Sequence, residues 1–304
     1  MVEVSTGTAE ISRSSTAARL LLWAAKTAAL WLTLIGTSEA AWRIGLHMGQ
    51  AAIRSDDGPL NSIQALLAVN LAIALALALL ATRARVAGWR LAVLLGVALY
   101  GLQSFMMIID GIWFNNTLGL SMSAWLALGV HDAIVAAVVG LVGSLVFHPA
   151  AETARAVPAR IFWRIVALMT VYVFLYFGAG TWAWQHDVLR HYYAHMQISF
   201  GPTVALQFAR GFLWAVIALF VACRIKGSLM SRVFVMAVLF GVLTAMQLLG
   251  PNPVMPWAIR QIHMVEIGVS EILYGAIAPL VLLAGAARRP LSNTSRWRLI
   301  TGAA

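Results

Sequence analysis

The hydropathy of this chain rises eight times. Apolar runs cover about 18–36, 62–82, 89–110, 124–147, 160–182, 202–223, 230–249 and 258–286, and the stretches outside them hold most of the Pro, Ser and charge. Each run is long enough, or nearly so, to cross roughly 30 Å of hydrocarbon as a helix. None shows the strict alternation of a half-buried strand. Backbone groups in lipid must also be satisfied within the segment or in a closed barrel, so the spans are predicted as α-helices. The expected fold is an all-α membrane protein: one integral domain over residues 1–304, with the lipid bilayer as its first partner.

Composition sharpens this picture. Of 304 residues, 61% are hydrophobic and 11% charged, against about 25% charged in a soluble domain. The net charge of +10 would suit a polynucleotide, but its distribution argues against one. With the N-terminus inside, sixteen Lys and Arg fall on inner segments, and only Arg43, Arg54, Arg190 and Arg260 on outer loops. The positive-inside rule then puts both termini in the cytoplasm, with 1–17 and 288–304 as tails. The basic excess reflects topology and attraction to anionic headgroups, and no nucleic-acid partner is expected. Cys223 is the only cysteine, so no intramolecular disulfide can form.

The two halves of the chain keep step. Arg19 aligns with Arg160, Gly36 with Gly178, Trp42 with Trp184, Arg83 with Arg224, Arg90 with Arg232, and Leu99-Tyr100-Gly101 with Leu239-Phe240-Gly241. The offset stays between 140 and 142 over more than 80 residues. This predicts a tandem repeat of four spans each, about 18–147 and 159–286, with both copies in the same orientation because four is even. The first run also resembles a signal peptide, with Ser38-Glu39-Ala40 as a poor cleavage site. Its match to the fifth span favours retention. A site is expected where the halves meet.

Polarity within the spans is concentrated toward the predicted outer side. On a helix opening near Pro256, Arg260, Glu266, Ser270, Glu271 and Tyr274 all lie within about 80° of His263, opposite Val265, Val269 and Ile272. That stripe must face protein or water. In the sixth span Thr203, Gln207, Arg210 and Trp214 share a face, and Arg210 lies about 12 Å in from Pro202. Glu266 lies at a similar depth, about 15 Å, which makes Arg210 and Glu266 the predicted partners. They would either lock two helices together or line a site. His131 and Asp132 in span four, and Gln103 and Asp110 in span three, add polarity, with His131 read as a satisfied core histidine. Lys26, about two turns from the inner surface, is expected to snorkel.

No cofactor is expected. Asp187, His191 and His195 are spaced i, i+4, i+8 and would make a weak metal-ligand face on a helix. Bis-histidine haem on His131 and His263 would need facing imidazoles. No nucleotide-binding loop, nucleophile elbow or HExxH occurs.

The stretches "LYGLQSFMMIIDGIWFNN", "LYFGAGTWAWQHDVLRHYY", "LQFARGFLW" and "PNPVMPWAIRQIHMVEIGVSEILYG" resemble those of a family of bacterial multi-span membrane proteins without an established biochemical activity, over about residues 99 to 285. The resemblance implies importance for Gln103, Asp110, Trp184, Gln185, Arg190, Arg210, Asn252, Pro256, Arg260, His263, Glu266 and Ser270. It also implies a bacterial inner membrane. Glu271 departs from the family pattern, which has asparagine there, and Asp110 replaces a glutamate. His186, His191 and His195 are not part of the pattern. The leading expectation is binding or translocation of a small solute, an anion included, or of a lipid headgroup in an outward-facing polar cavity. A membrane enzyme acting on a lipid-linked substrate and an accessory subunit are the alternatives.

Overall fold

The structure, a computed structural model, describes residues 6–47, 57–115, 120–152, 160–195, 199–251 and 255–283. Eight of its helices are long and apolar enough to cross a membrane. They are α1 (Thr6–His47), α2 (Ser62–Arg83), α3 (Trp89–Trp113), α4 (Met122–Val146), α5 (Ile161–Ala183), α6 (Phe200–Ala222), α7 (Leu229–Ala245, continued to Leu249 by a tight 3-10 turn) and α8 (Trp257–Leu283). A short helix, Asp187–Tyr192, lies between α5 and α6. No β-strand is present among the described residues; the one β-bridge, Ala84 to Ile225, is isolated.

Local chemistry sets several of the helix starts. Asn61 and Gln64 form a reciprocal capping box at the head of α2, with Gln64 N donating to Asn61 Oδ1 at 2.9 Å and Asn61 N to Gln64 Oε1 at 3.1 Å. Ser121 and Ser228 cap α4 and α7 by accepting the backbone N–H of Ala124 and Ser231. α3 is not a regular α-helix: Tyr100–Phe105 winds as π-helix, which releases backbone groups in mid-span. Gln247 on α7 uses one of them, donating to Gln103 O at 3.2 Å.

Helix contacts follow the same plan in both halves. α1 packs on α2 and α4, and α3 on α4; correspondingly α5 packs on α6 and α8, and α7 on α8. Across the halves, α2 meets α7 and α3 meets α6. At the predicted inner end the two turns after α2 and α6 exchange hydrogen bonds about the Ala84–Ile225 bridge, Arg85 N to Arg224 O at 2.7 Å and Lys226 N to Arg83 O at 2.6 Å. Arg85 adds an ion pair to Glu152 at 2.8 Å. Lys26 lies 5.6 Å from the ring centre of Phe147, at the C-terminal end of α4.

The tightest seams depend on glycine. A Cβ on Gly140 would lie 2.5 Å from Ala92 O, and one on Gly275 2.5 Å from Met236 O. Small residues bring helix backbones together in lipid, where dispersion rather than water exclusion holds them. Gly275→Ala should therefore destabilise by about 1–3 kcal/mol through overpacking. Gly178→Ala, with nothing within 4 Å of the new atom, should be neutral. Thermal unfolding of the two variants in detergent checks the contrast.

Candidate functional site

The predicted outer end of α8 is held by a residue from the distant α1–α2 loop. Asp57 Oδ2 accepts the Trp257 backbone N–H at 2.5 Å, placing a carboxylate at the helix N-terminus. Arg260 donates to Asp57 Oδ1 at 2.9 Å, Asp57 O at 2.8 Å, Met255 O at 2.9 Å and Leu248 O at 3.2 Å. It is completely buried and does not line the large cavity described below. Arg260, expected among the ligand-binding residues, thus stands apart from the cavity, and its guanidinium ties α8 to the α1–α2 loop. Gly58 (φ +116°) permits this, since a Cβ there would lie 2.9 Å from Arg260 Nη2. Pro256 precedes α8, its carbonyl accepting from Ile259 N and Arg260 N. Asn252 lies outside the described residues.

About one turn beyond Arg260 on α8, His263 Nδ1 lies 2.7 Å from Glu266 Oε2, and its Nε2 lies 3.0 Å from Tyr193 Oη. Burial holds the Tyr193 phenol above the usual tyrosine range. In the neutral tautomer that satisfies both contacts, Tyr193 O–H donates to Nε2 and Nδ1–H donates to Glu266. Gly180 on α5 leaves room for the Glu266 carboxylate, 3.6 Å from where a Cβ would sit. Ser270 turns its hydroxyl back to Glu266 O at 2.7 Å.

Arg210 has a different partner from the one predicted. Its Nη1 lies 2.8 Å from Asp110 Oδ1 on α3 and donates to Gln207 Oε1 at 2.8 Å. Its guanidinium stands 5.6 and 5.8 Å from the ring centres of Tyr172 and Tyr176 on α5. Tyr172 Oη donates to Gln207 Oε1 at 3.4 Å. The predicted Arg210–Glu266 pair does not form because His263, one turn away on the same helix, takes Glu266, and Asp110 reaches Arg210 from the other half.

These groups line one cavity of about 1100 Å³ between α3, α4, α5, α6, α7 and α8. Arg190, Gln185, Trp184 and Tyr193 stand at its rim; Gln103, Asp110, Arg210, His263, Glu266, Ser270 and Glu271 line its wall. Arg190 is paired with Asp187, and the Trp184 and Tyr193 rings stack at 6.4 Å. Deeper in, Glu271 Oε2, Tyr274 Oη, Gln103 Oε1 and Arg210 Nε are buried without a hydrogen-bond partner among the described residues. The floor is aromatic: Trp214 lies 6.3 Å from Tyr172 and 5.3 Å from Phe240, and Tyr274 5.7 Å from Tyr172. The opposite face of α8 is exposed at Val265, Val269 and Ile272, as its polar stripe requires.

Other candidates are placed apart from the centre. His131 pairs with Asp132 at 2.7 Å and contacts Ser38 O at 3.3 Å, so both its nitrogens are engaged toward α1. Asp132 and Gln103 line both the large cavity and a hollow of about 50 Å³ within the first half. The i, i+4, i+8 ligand face does not form. The short helix stops at Tyr192, Asp187 bonds Arg190, and His191 Nδ1 lies 2.8 Å from Asp187 O. Among the described residues no three His, Cys, Asp or Glu side chains are grouped to hold a metal ion. Sequence reasoning missed Asp57, Tyr172, Tyr176 and Gln247. Only the tyrosines left a signal, two hydroxyl-bearing rings one turn apart in an otherwise apolar span.

No protein-family model matches the chain, and neither curated proteins nor solved structures give a match. The functional reading rests on the site itself.

Asp57→Ala should strand the buried Arg260 charge and cost about 3–5 kcal/mol. Adding Arg260→Met should recover part of that loss. Thermal melts of the single and double variants measure the coupling.

Proposed function

We propose that this integral membrane protein binds a small solute or lipid headgroup in an outward-facing cavity between two four-helix halves, and moves it by rocking one half against the other. The carrying observation is the set of buried polar atoms on cavity-lining residues without a hydrogen-bond partner among the described residues: Glu271 Oε2, Gln103 Oε1, Tyr274 Oη, Arg210 Nε, Trp214 Nε1 and Asp110 Oδ1, the last in ion-pair contact with Arg210. Leaving such atoms unsatisfied costs about 1–3 kcal/mol each. A scaffold whose charges served only to lock helices would pair them. A ligand or its water completes this set.

In this reading access is from the predicted outer side, the lining running from the ends of α5 and α8 down to Tyr172, Trp214 and Tyr274, with Phe240 packed against the last two. Beneath them lie fully buried apolar side chains, Leu94, Leu95, Ala218 and Leu239 among them. That is the form expected of an outward-open carrier with an aromatic inner gate. Matching helix contacts in the two halves, and the reciprocal hydrogen bonds at Ala84 and Ile225, support reading them as duplicate copies about an axis along the membrane normal. In this reading the membrane is a bacterial inner membrane and both termini are cytoplasmic.

A second reading rests on the Tyr193–His263–Glu266 chain. It would suit proton abstraction from a lipid-linked substrate at the outer leaflet, with Glu266 as general base, or His263 once Tyr193 gives up its hydrogen bond to Nε2. Ser270 is not the nucleophile of such a reaction, because its hydroxyl is committed to the carbonyls of Glu266 and Ile267.

In a Cys223→Ser background, Ser270→Cys should react with a membrane-impermeant thiol reagent added from the outside. Arg210→Ala and Glu266→Gln should each insert, and each should lose a small molecule that native mass spectrometry finds on the wild type. Failure of the introduced thiol to react, or the same bound mass on all three proteins, overturns the reading.

A further inference from the structure

The acidic and basic side chains that line the cavity are, among the described residues, paired within the protein with one exception. Asp110 meets Arg210, Glu266 meets His263, Asp132 meets His131, and Arg190 meets Asp187. Glu271 is 7% exposed, lines the cavity, and makes no ion pair or hydrogen bond among the described residues. Gln103 Oε1 is a second buried acceptor in the same wall without a donor among them. What the wall leaves without an ion-pair partner is therefore one carboxylate, Glu271, with the Gln103 amide oxygen as a second open acceptor. The open donors, Arg210 Nε and Trp214 Nε1, belong to a guanidinium already paired with Asp110 and to a neutral indole. The guanidinium that a bound anion would seek is already neutralised by Asp110.

We infer that the ligand is an amphiphilic primary amine, its ammonium held between Glu271 and Gln103 and its apolar body along Leu102, Met107, Leu175 and Ile267. This rests on the cavity reading above and replaces an anionic ligand with a cationic one. An ammonium supplies what the wall lacks: a positive charge opposite Glu271 and several N–H donors for its acceptors. Tyr274 Oη, fully buried and also without a partner among the described residues, is available as a further acceptor. The lining side chains around these polar points are predominantly apolar. A charge held there needs a hydrophobic remainder to fill the space without trapping water against it. Glu271 carries the specificity because it is, among the described lining residues, the one carboxylate without an ion-pair partner.

Three probes of one shape separate the possibilities: phenylbutylamine, phenylbutanol and phenylbutanoate, titrated calorimetrically into full-length protein in phosphatidylcholine nanodiscs. The amine should bind at least about tenfold more tightly than the alcohol, a difference of about 1.4 kcal/mol. Glu271→Gln should abolish that preference while leaving alcohol binding unchanged, and Glu271→Asp should restore part of it. If Glu271→Gln does not fold, Gln103→Leu is the second variant and should weaken the amine alone. Equal binding of amine and alcohol, or tightest binding of the carboxylate, overturns the amine assignment and leaves the cavity reading intact. Failure of all three probes to bind overturns both. Repeating the titration with phosphatidylethanolamine in the nanodisc identifies the source within the proposal. Loss of amine binding assigns the site to a lipid ammonium, and unchanged binding to a free amine.

Discussion

A guanidinium in mid-membrane must be paired, and in this protein the pairing joins one half of the chain to the other. Arg210 on α6 is 5% exposed and holds Asp110 on α3 at 2.8 Å. An unpaired arginine at that depth costs several kcal/mol even by the lower insertion scales, so α3 and α6 are not free to separate fully. The same logic operates at the two ends of the bundle. Asp57 and Arg260 clamp the first half to α8 at one end, and the backbone exchange around Ala84 and Ile225 joins the halves at the other. Between these three levels the bundle is hollow.

The hollow combines satisfied and unsatisfied polarity. Its ion pairs keep their charges neutralised within the protein, which makes the residual acceptors the chemically open part of the wall. Tyr172 and Tyr176 flank the Arg210 guanidinium with ring faces, so the charge is held by Asp110, Gln207 and π-systems together. Tyr172, Trp214 and Tyr274 form the aromatic floor of the cavity. Tyr193, on the short segment after α5, hydrogen-bonds His263 on α8. The rim is thereby coupled directly to the wall, and movement of that segment changes the surroundings of Glu266.

The spans were legible in the sequence because the cost of exposing polar backbone to lipid leaves a simple signal, an uninterrupted apolar run. The polar stripe of α8 was legible for a related reason: Val265, Val269 and Ile272 form the exposed face, and His263, Glu266 and Ser270 line the cavity opposite. Partner choice was not. Counting residues along a helix gives depth but not the rotation of one helix against its neighbour. Depth alone therefore suggested Glu266 for Arg210, whereas His263 takes Glu266 and Asp110 reaches Arg210 from α3. Arg260 illustrates the same limit. Its position on the stripe suggested a ligand, whereas its true partner, Asp57, sits in a loop some 200 residues earlier that no periodicity connects to α8. The π-helical turn at Tyr100–Phe105 left no compositional mark either.

A double-mutant cycle on Asp110 and Arg210 tests this account most directly, with Asp110→Asn, Arg210→Gln and the double variant compared by unfolding in lipid nanodiscs. If the two charges meet across the halves, each single change strands the other charge. The double variant should then be more stable than the sum of the single losses allows, by at least about 1 kcal/mol of coupling. Losses that simply add, to within about 0.5 kcal/mol, would mean that Arg210 and Asp110 do not meet, and would contradict the arrangement on which the cavity depends.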